Sequence, residues 1–219
     1  MLSPLRYQSP IPLCYNEELF PISQCIRVKG KNKGAIYNEE NNIFELQDKI
    51  IMKINNKPYV LIEYHFHVPS EHIINNKKYP AEIHYVFEEI NKNNNPKNNP
   101  NNNPKNRKKY GCVCDGNYDG DTNILVIGRV IKNNKHKKHK NHKKHKKKKH
   151  KNLSKLQPNI PSTYFEYDGS LTGTGDETVP VRWIVGNKYI RLPLNEIDLI
   201  AKSARSLQPL DDRIILFKC

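Results

Sequence analysis

"EYHFHVPSEHIINNKKYPAEIHYVF", residues 63–87, decides how this 219-residue chain is read. Successive side chains of an extended strand point to opposite faces. Glu63, His65 and His67 therefore share one face, and Tyr64, Phe66 and Val68 the other. Seventeen residues after His67, the segment "AEIHYVF" puts Glu82, His84 and Val86 on one face of a second strand. Asn75 and Asn76 lie between them as a turn signal, so the two strands can pair antiparallel with their histidine faces meeting. Three converging imidazoles are what a catalytic zinc needs: three neutral nitrogen ligands and an open fourth position. Each acid two residues before a histidine can accept the ring's other N–H and fix its tautomer. A His-x-His pair alone is equally well explained by half-buried strand histidines. The third histidine and the acids in step with it favour a metal, although spacing alone names neither the ion nor the reaction.

The rest of the body also reads as strands. "NIFEL", "KIIMKI", "YVLIEYHFHV", "AEIHYVF", "NILVIGRVI", "VRWIV" and "RIILF" are short, β-branched or aromatic, and bounded by Asn, Gly, Pro or Lys. Asn55–Lys57 is a turn between two of them. One helix is expected around Leu194 to Ala204, where Leu194, Ile197, Ile200 and Ala201 recur with helical spacing. The fold class is mainly β, a twisted and mostly antiparallel central sheet with few short helices.

The formal charge of +15 suggests a nucleic-acid partner until it is located. Twelve lysines lie between Lys132 and Lys151, and six more basic residues between Asn91 and Lys109, with no acid in either stretch. Without those eighteen the remainder carries −3. Both tracts, taken as 91–109 and 132–155, lack the apolar side chains that offset the entropy of ordering, so they read as disordered insertions in a single domain spanning 1–219. His136, His139, His142 and His145 could bind metal loosely, and the lysines could make weak, non-specific contact with nucleic acid or other polyanions. No aromatic residue is interleaved to stack on bases. Five scattered cysteines, including Cys112 and Cys114, lack zinc-knuckle spacing and read as reduced thiols. No signal peptide or membrane span is seen, which leads to the expectation of an intracellular, cytoplasmic protein.

The stretch 63–87 resembles the zinc-site segment of the α-class carbonic anhydrases. "YQSPIPL" (7–13), "YDGSLTGTGDETVPVRWIV" (167–185) and "ARSLQPLDDR" (204–213) resemble further blocks of that family, in the family's order. The resemblance implies a Zn²⁺ enzyme that reversibly hydrates CO2 to bicarbonate and a proton, by attack of zinc-bound hydroxide. It implies that His65, His67 and His84 are the metal ligands, with Glu63 and Glu82 as acceptors behind them. Thr172 would accept a hydrogen bond from the hydroxide and pass its own to Glu71. Val86, Val126, Leu171 and Trp183 would line the CO2 pocket.

The chain also departs from the family. Glu63 stands where Gln is usual, and Gly173 replaces a second loop threonine. No histidine precedes His65, so the usual proton shuttle is missing, and "KGAIYNEENNIFEL" offers Asn and Glu instead. A slow or buffer-dependent proton-transfer step is expected. The other reading is a catalytically weak or inactive carbonic-anhydrase-like binding or adhesion protein whose basic loop contacts acidic polymers. Retention of all three histidines with Thr172 and Glu71 favours the enzyme.

Overall fold

The computed structural model describes residues 7–15, 19–90, 122–134, 150, 152–173 and 179–219. The described strands are, in chain order, β1 (Pro12–Leu13), β2 (Phe20–Pro21), β3 (Ile26–Lys29), β4 (Ile36–Asn38) and β5 (Ile43–Glu45). β6 (Ile51–Ile54), β7 (Lys57–Val68), β8 (Ile73–Ile74), β9 (Lys77–Lys78) and β10 (Ala81–Glu89) follow. The last are β11 (Ile124–Asn133), β12 (Tyr164–Ser170), β13 (Pro180–Leu192), β14 (Lys202–Ser203) and β15 (Leu216–Lys218).

Twelve of these strands form one sheet along the path β2-β15-β12-β13-β11-β10-β7-β5-β4, with β6 and β14 also pairing to β7 and β3 to β6. The central pairs β10–β11, β10–β7 and β12–β13 are antiparallel, whereas β11 and β13 run parallel. The turns anticipated between strands have left-handed asparagines, Asn55 and Asn56 before β7 and Asn75 and Asn76 between β8 and β9. Asparagine tolerates that conformation better than most residues because its short polar side chain bonds locally.

The sheet separates two apolar clusters. Tyr59, Leu61, Tyr64, Phe66, Ile83, Tyr85, Phe87 and Ile127 pack on one face. Val86, Val126, Val130, Phe165, Tyr167, Val181 and Trp183 pack on the other. Strict alternation would put Tyr59 and Leu61 on the same side as His65 and His67. The β7–β10 register instead skips a residue, with Val86 opposite Glu63 and Phe87 opposite Leu61. This bulge lets one strand feed the aromatic core below Ile62 and above it, while the histidines face the other way.

Two expectations change. The helix predicted over Leu194–Ala204 is confined to α1, Leu194–Ile197. Ile197 and Ile200 are buried as the spacing required, but Leu199 is 77% exposed and the chain then extends into β14 beside β7. The backbone of 203–205 has other partners: the Ser203 carbonyl meets His67 and the Arg205 N–H donates to Glu71. The tract assigned to 132–155 is narrower at both ends. Lys132 and Asn133 belong to β11, and Leu153–Lys155 form a 3₁₀ turn. Leu153 is fully buried, and its carbonyl accepts the Tyr64 hydroxyl at 2.8 Å. One apolar side chain is enough to anchor this short turn to the core. Residues 91–109 and 135–149, with Cys112 and Cys114, lie outside the described residues. Among the described residues no helix is long and apolar enough to cross a membrane.

Leu153→Ala should therefore cost about 2–5 kcal/mol of stability, the usual range for a fully buried leucine. Leu199→Ala should stay within about 0.5 kcal/mol. Urea unfolding of the two variants checks this, and a neutral Leu153→Ala would contradict the anchoring.

Candidate metal centre

The pairing of β7 with β10 puts His84 directly opposite His65, and Glu82 opposite His67. Directly opposed side chains on one face of an antiparallel pair lie close enough to touch. The ring centroids are 4.7 Å apart for His67–His84, 5.1 Å for His65–His67 and 5.4 Å for His65–His84. One nitrogen from each ring lies within 4.8 Å of the other two, a group that could hold a metal ion.

Each ring has one nitrogen turned away and claimed. Nδ1 of His65 lies 3.0 Å from Glu63 Oε1, and Nδ1 of His67 lies 3.2 Å from the Ser203 carbonyl. Nε2 of His84 lies 3.0 Å from Glu82 Oε1. A neutral imidazole has one donor and one acceptor, so donation at these positions leaves lone pairs on His65 Nε2, His67 Nε2 and His84 Nδ1. His67 Nε2 is buried and has no hydrogen-bond partner among the described residues. An orphaned buried acceptor among two more imidazoles is the donor set that suits zinc.

The electrostatics keep His65 and His67 neutral. Burial, reinforced by His84 and Lys202, lowers His65 well below the ordinary 6.5. Burial, with His84 and His65 beside it, pushes His67 down to about 2. Burial alone would raise the Glu82 carboxyl, but the charge and hydrogen bonds of His72 and His84 hold it well below the ordinary carboxylate range. His72 is fully buried and braces this carboxylate. Its Nδ1 meets Glu82 Oε1 at 2.7 Å, its backbone N–H donates to Glu82 Oε2 at 2.9 Å, and its Nε2 lies 2.6 Å from the Tyr167 hydroxyl. Gly128, opposite His84 on β11, makes room for this brace, since a Cβ there would meet Glu82 Oε1 at 2.8 Å.

Glu71 is fully buried and receives the Arg205 backbone N–H at 2.8 Å on Oε1. Burial raises its carboxyl, and His84, Arg205 and the side chain of Thr172 pull it back down. Among the described residues its Oε2 has no hydrogen-bond partner. The Arg205 guanidinium donates to the Ser9 carbonyl at 2.8 Å and to Gln8 Oε1 at 2.6 Å, tying the N-terminal "QSP" segment to the site.

The three histidines and Thr172 lie along a cavity of about 400 Å³. Val86, Val126, Leu171 and Trp183, all anticipated from sequence, line the same cavity with Ile62 and Ile124. Trp183 Nε1 donates to the Ser170 carbonyl at 3.0 Å, fixing the start of the loop that carries Leu171 and Thr172. Asn41, Ile43, Glu63, Gly173 and Lys202 complete the described lining. Sequence reasoning missed Ser203, Arg205 and Lys202. The helical spacing of Leu194 to Ala201 hid them, and only the block 204–213 marked their neighbourhood.

The depressed histidines make a prediction about acid stability. The unfolded chain binds protons at His65 and His67 that the folded chain refuses, so stability from the neutral rings is fully present above pH 6.5 and is lost as pH falls toward about 2 for His67. The raised Glu63 and Glu71 work in the opposite sense, returning stability as pH falls through their raised values. The test is therefore comparative. Between pH 7.5 and 5.5, metal-free wild-type protein should lose about 1 kcal/mol more than His67→Asn, because one site's linkage is at most about 1.4 kcal/mol per pH unit. Equal losses by urea unfolding would refute the assignment.

Comparison with known proteins places this architecture. The carbonic anhydrase of Neisseria gonorrhoeae is 33% identical over 70 residues, which cover 30% of this chain and only 28% of that protein. Carbonic anhydrase Nec1 of Nesocodon mauritianus is 24% identical over 230 aligned positions, covering 98% of this chain and 75% of that one. The α-carbonic anhydrase of Thermovibrio ammonificans, solved with sulfanilamide, superposes with a TM-score of 0.62 at 22% identity, over 96% of this chain and 86% of that one. The model of the eukaryotic-type carbonic anhydrase family matches residues 5–218, and the chain belongs to that family.

Proposed function

We propose that the chain is a zinc-dependent carbonic anhydrase that interconverts CO2 and bicarbonate. The observation that carries the reading is the meeting of three imidazoles, each with its outward nitrogen claimed, at one end of an apolar-walled cavity. His65 and His67 would hold zinc through Nε2 and His84 through Nδ1. When bound, the ion supplies the Lewis acidity that makes a water nucleophilic at neutral pH.

The protein's own groups do the rest. Glu82, braced by His72, keeps the His84 ring oriented and basic. Thr172, donating toward Glu71, is left with its oxygen lone pairs as acceptor and so orients a nucleophile's hydrogen away from the substrate. Val86, Val126, Leu171 and Trp183 form the wall against which uncharged CO2 binds. Water and CO2 give bicarbonate and one proton, and that proton must leave the cavity. Apart from the three histidines, the described lining contains no imidazole, and the stretch before His65 contributes Asn41, Ile43, Ile62 and Glu63 instead. Proton release then falls to external buffer.

CO2 hydration measured on metal-quantified protein tests the reading. One zinc per chain is expected, with hydration lost in His84→Ala and retained when residues 135–149 are removed. The rate should rise with imidazole buffer concentration, and fast turnover without buffer would contradict the missing shuttle. Stoichiometric zinc without hydration would leave a binding protein on the same fold. Gly128→Ala, which crowds Glu82, should weaken zinc affinity about ten-fold or more, the usual range for disturbing a ligand's hydrogen-bonded support. Competition with a chromophoric chelator reads that change, and unaltered affinity would show that Glu82 has room to move.

A further inference from the structure

We propose that Lys202 is an anion-holding residue of the cavity, attracting the bicarbonate formed there and the small inorganic anions that compete with it. The inference rests on the reading of the cavity as the place of CO2 hydration. Lys202 is half-buried and lines the same cavity as His65, His67 and His84. Its backbone is fixed to the strand that carries two of the histidines. β14 pairs parallel with β7, with Lys202 opposite His67, and the next carbonyl, that of Ser203, meets His67 Nδ1 at 3.2 Å.

The ammonium has no carboxylate of its own. Among the described residues no acid lies within ion-pair distance of it, and Glu63, the other charged residue in the described lining, has Oε1 placed against His65 Nδ1 at 3.0 Å. Lys202 nevertheless acts on that corner of the cavity, lowering both Glu63 and His65 by its charge. An unpaired cation beside walls of valine and tryptophan is screened less than one in open water. A cation without a paired carboxylate in such a cleft raises the local concentration of anions near it.

This arrangement discriminates between the two carbon species. CO2 carries no charge and is indifferent to Lys202, whereas bicarbonate is an anion and is held. The residue therefore tunes product retention and anion inhibition rather than the capture of CO2. Glu63 opposes it, so the balance between the two sets how tightly an anion sits.

Cobalt(II)-substituted protein provides the test, because its visible spectrum reports anion binding without turnover. Bicarbonate and thiocyanate would each be titrated into wild type, Lys202→Met, Lys202→Gln and Lys202→Arg. The neutral variants should bind both anions about ten-fold more weakly, equivalent to about 1.4 kcal/mol. Lys202→Arg should stay within about three-fold of wild type, and the gap between wild type and the neutral variants should narrow as ionic strength rises. Glu63→Gln should bind both anions more tightly. Wild-type anion affinity in both neutral variants, with the cobalt spectrum intact, would overturn the proposal. A chain that takes up cobalt and holds anions through Lys202 but hydrates no CO2 would support the anion site and sink the enzymatic reading. A wild-type chain that takes up no cobalt would sink both.

Discussion

The register between β7 and β10 is the constraint on which the rest depends. It sets His84 against His65 and Glu82 against His67, and it fixes which face of each strand meets solvent or core. A slip of one residue would send His84 into the aromatic cluster and bring Ile83 or Tyr85 to the cavity. That slip is opposed from both sides. Ile83, Tyr85 and Phe87 are fully or almost fully buried among Tyr64, Phe66 and Ile127, so the alternative register would expose three large apolar side chains. At about 1.5–3 kcal/mol for each, the loss approaches the whole stability of an ordinary domain. The site's geometry is thus held by the core, not by the polar groups that compose it.

Those polar groups carry a cost that only their mutual bonding offsets. Glu82 and Glu71 are both fully buried, and an isolated buried carboxylate is strongly unfavourable. Glu82 is satisfied three times over by His72 and His84, while Glu71 has Arg205 and Thr172. The two carboxyls consequently diverge, Glu82 held well below the ordinary range and Glu71 raised above it. The difference lies in the partners, since burial acts on both alike. Neighbours that bond to the anion at several points outweigh desolvation, and the fewer partners of Glu71 do not.

Much of this was legible in the sequence because its period is two. Alternation alone put Glu63, His65 and His67 on one face, and a turn signal at Asn75 and Asn76 permitted the antiparallel return that brings up His84. The block resemblance then pointed to Glu71, Thr172 and the apolar wall; Thr172 and the wall residues line one cavity, and Glu71 is buried beside His84. What was not legible had competing local signals. Leu194, Ile197, Ile200 and Ala201 have helical spacing and do face inward, yet the backbone leaves the helix after Ile197 because 203–205 is engaged by His67 and Glu71. Leu153 lies at the end of a lysine-rich run whose composition speaks for disorder, and no local pattern reveals that a single leucine is buried under Tyr64. Long-range partners decide both cases, and a sequence window contains neither.

The replacement of a neutral amide by Glu63 makes sense only together with Lys202. A carboxylate at the cavity wall is a good acceptor for His65, better than an amide oxygen, and so makes the ring a stronger donor of its lone pair. By itself it would also repel the anionic product from the same wall and would resist ionising in a partly buried place, as its burial-raised carboxyl shows. The ammonium of Lys202 answers both problems at a distance, favouring the charged carboxylate without closing an ion pair onto it. Had the two groups met, each would have cancelled the other and the cavity would present no net field to an anion. Held apart on β7 and β14, one charge serves His65 and the other would remain available to an anion in the cavity.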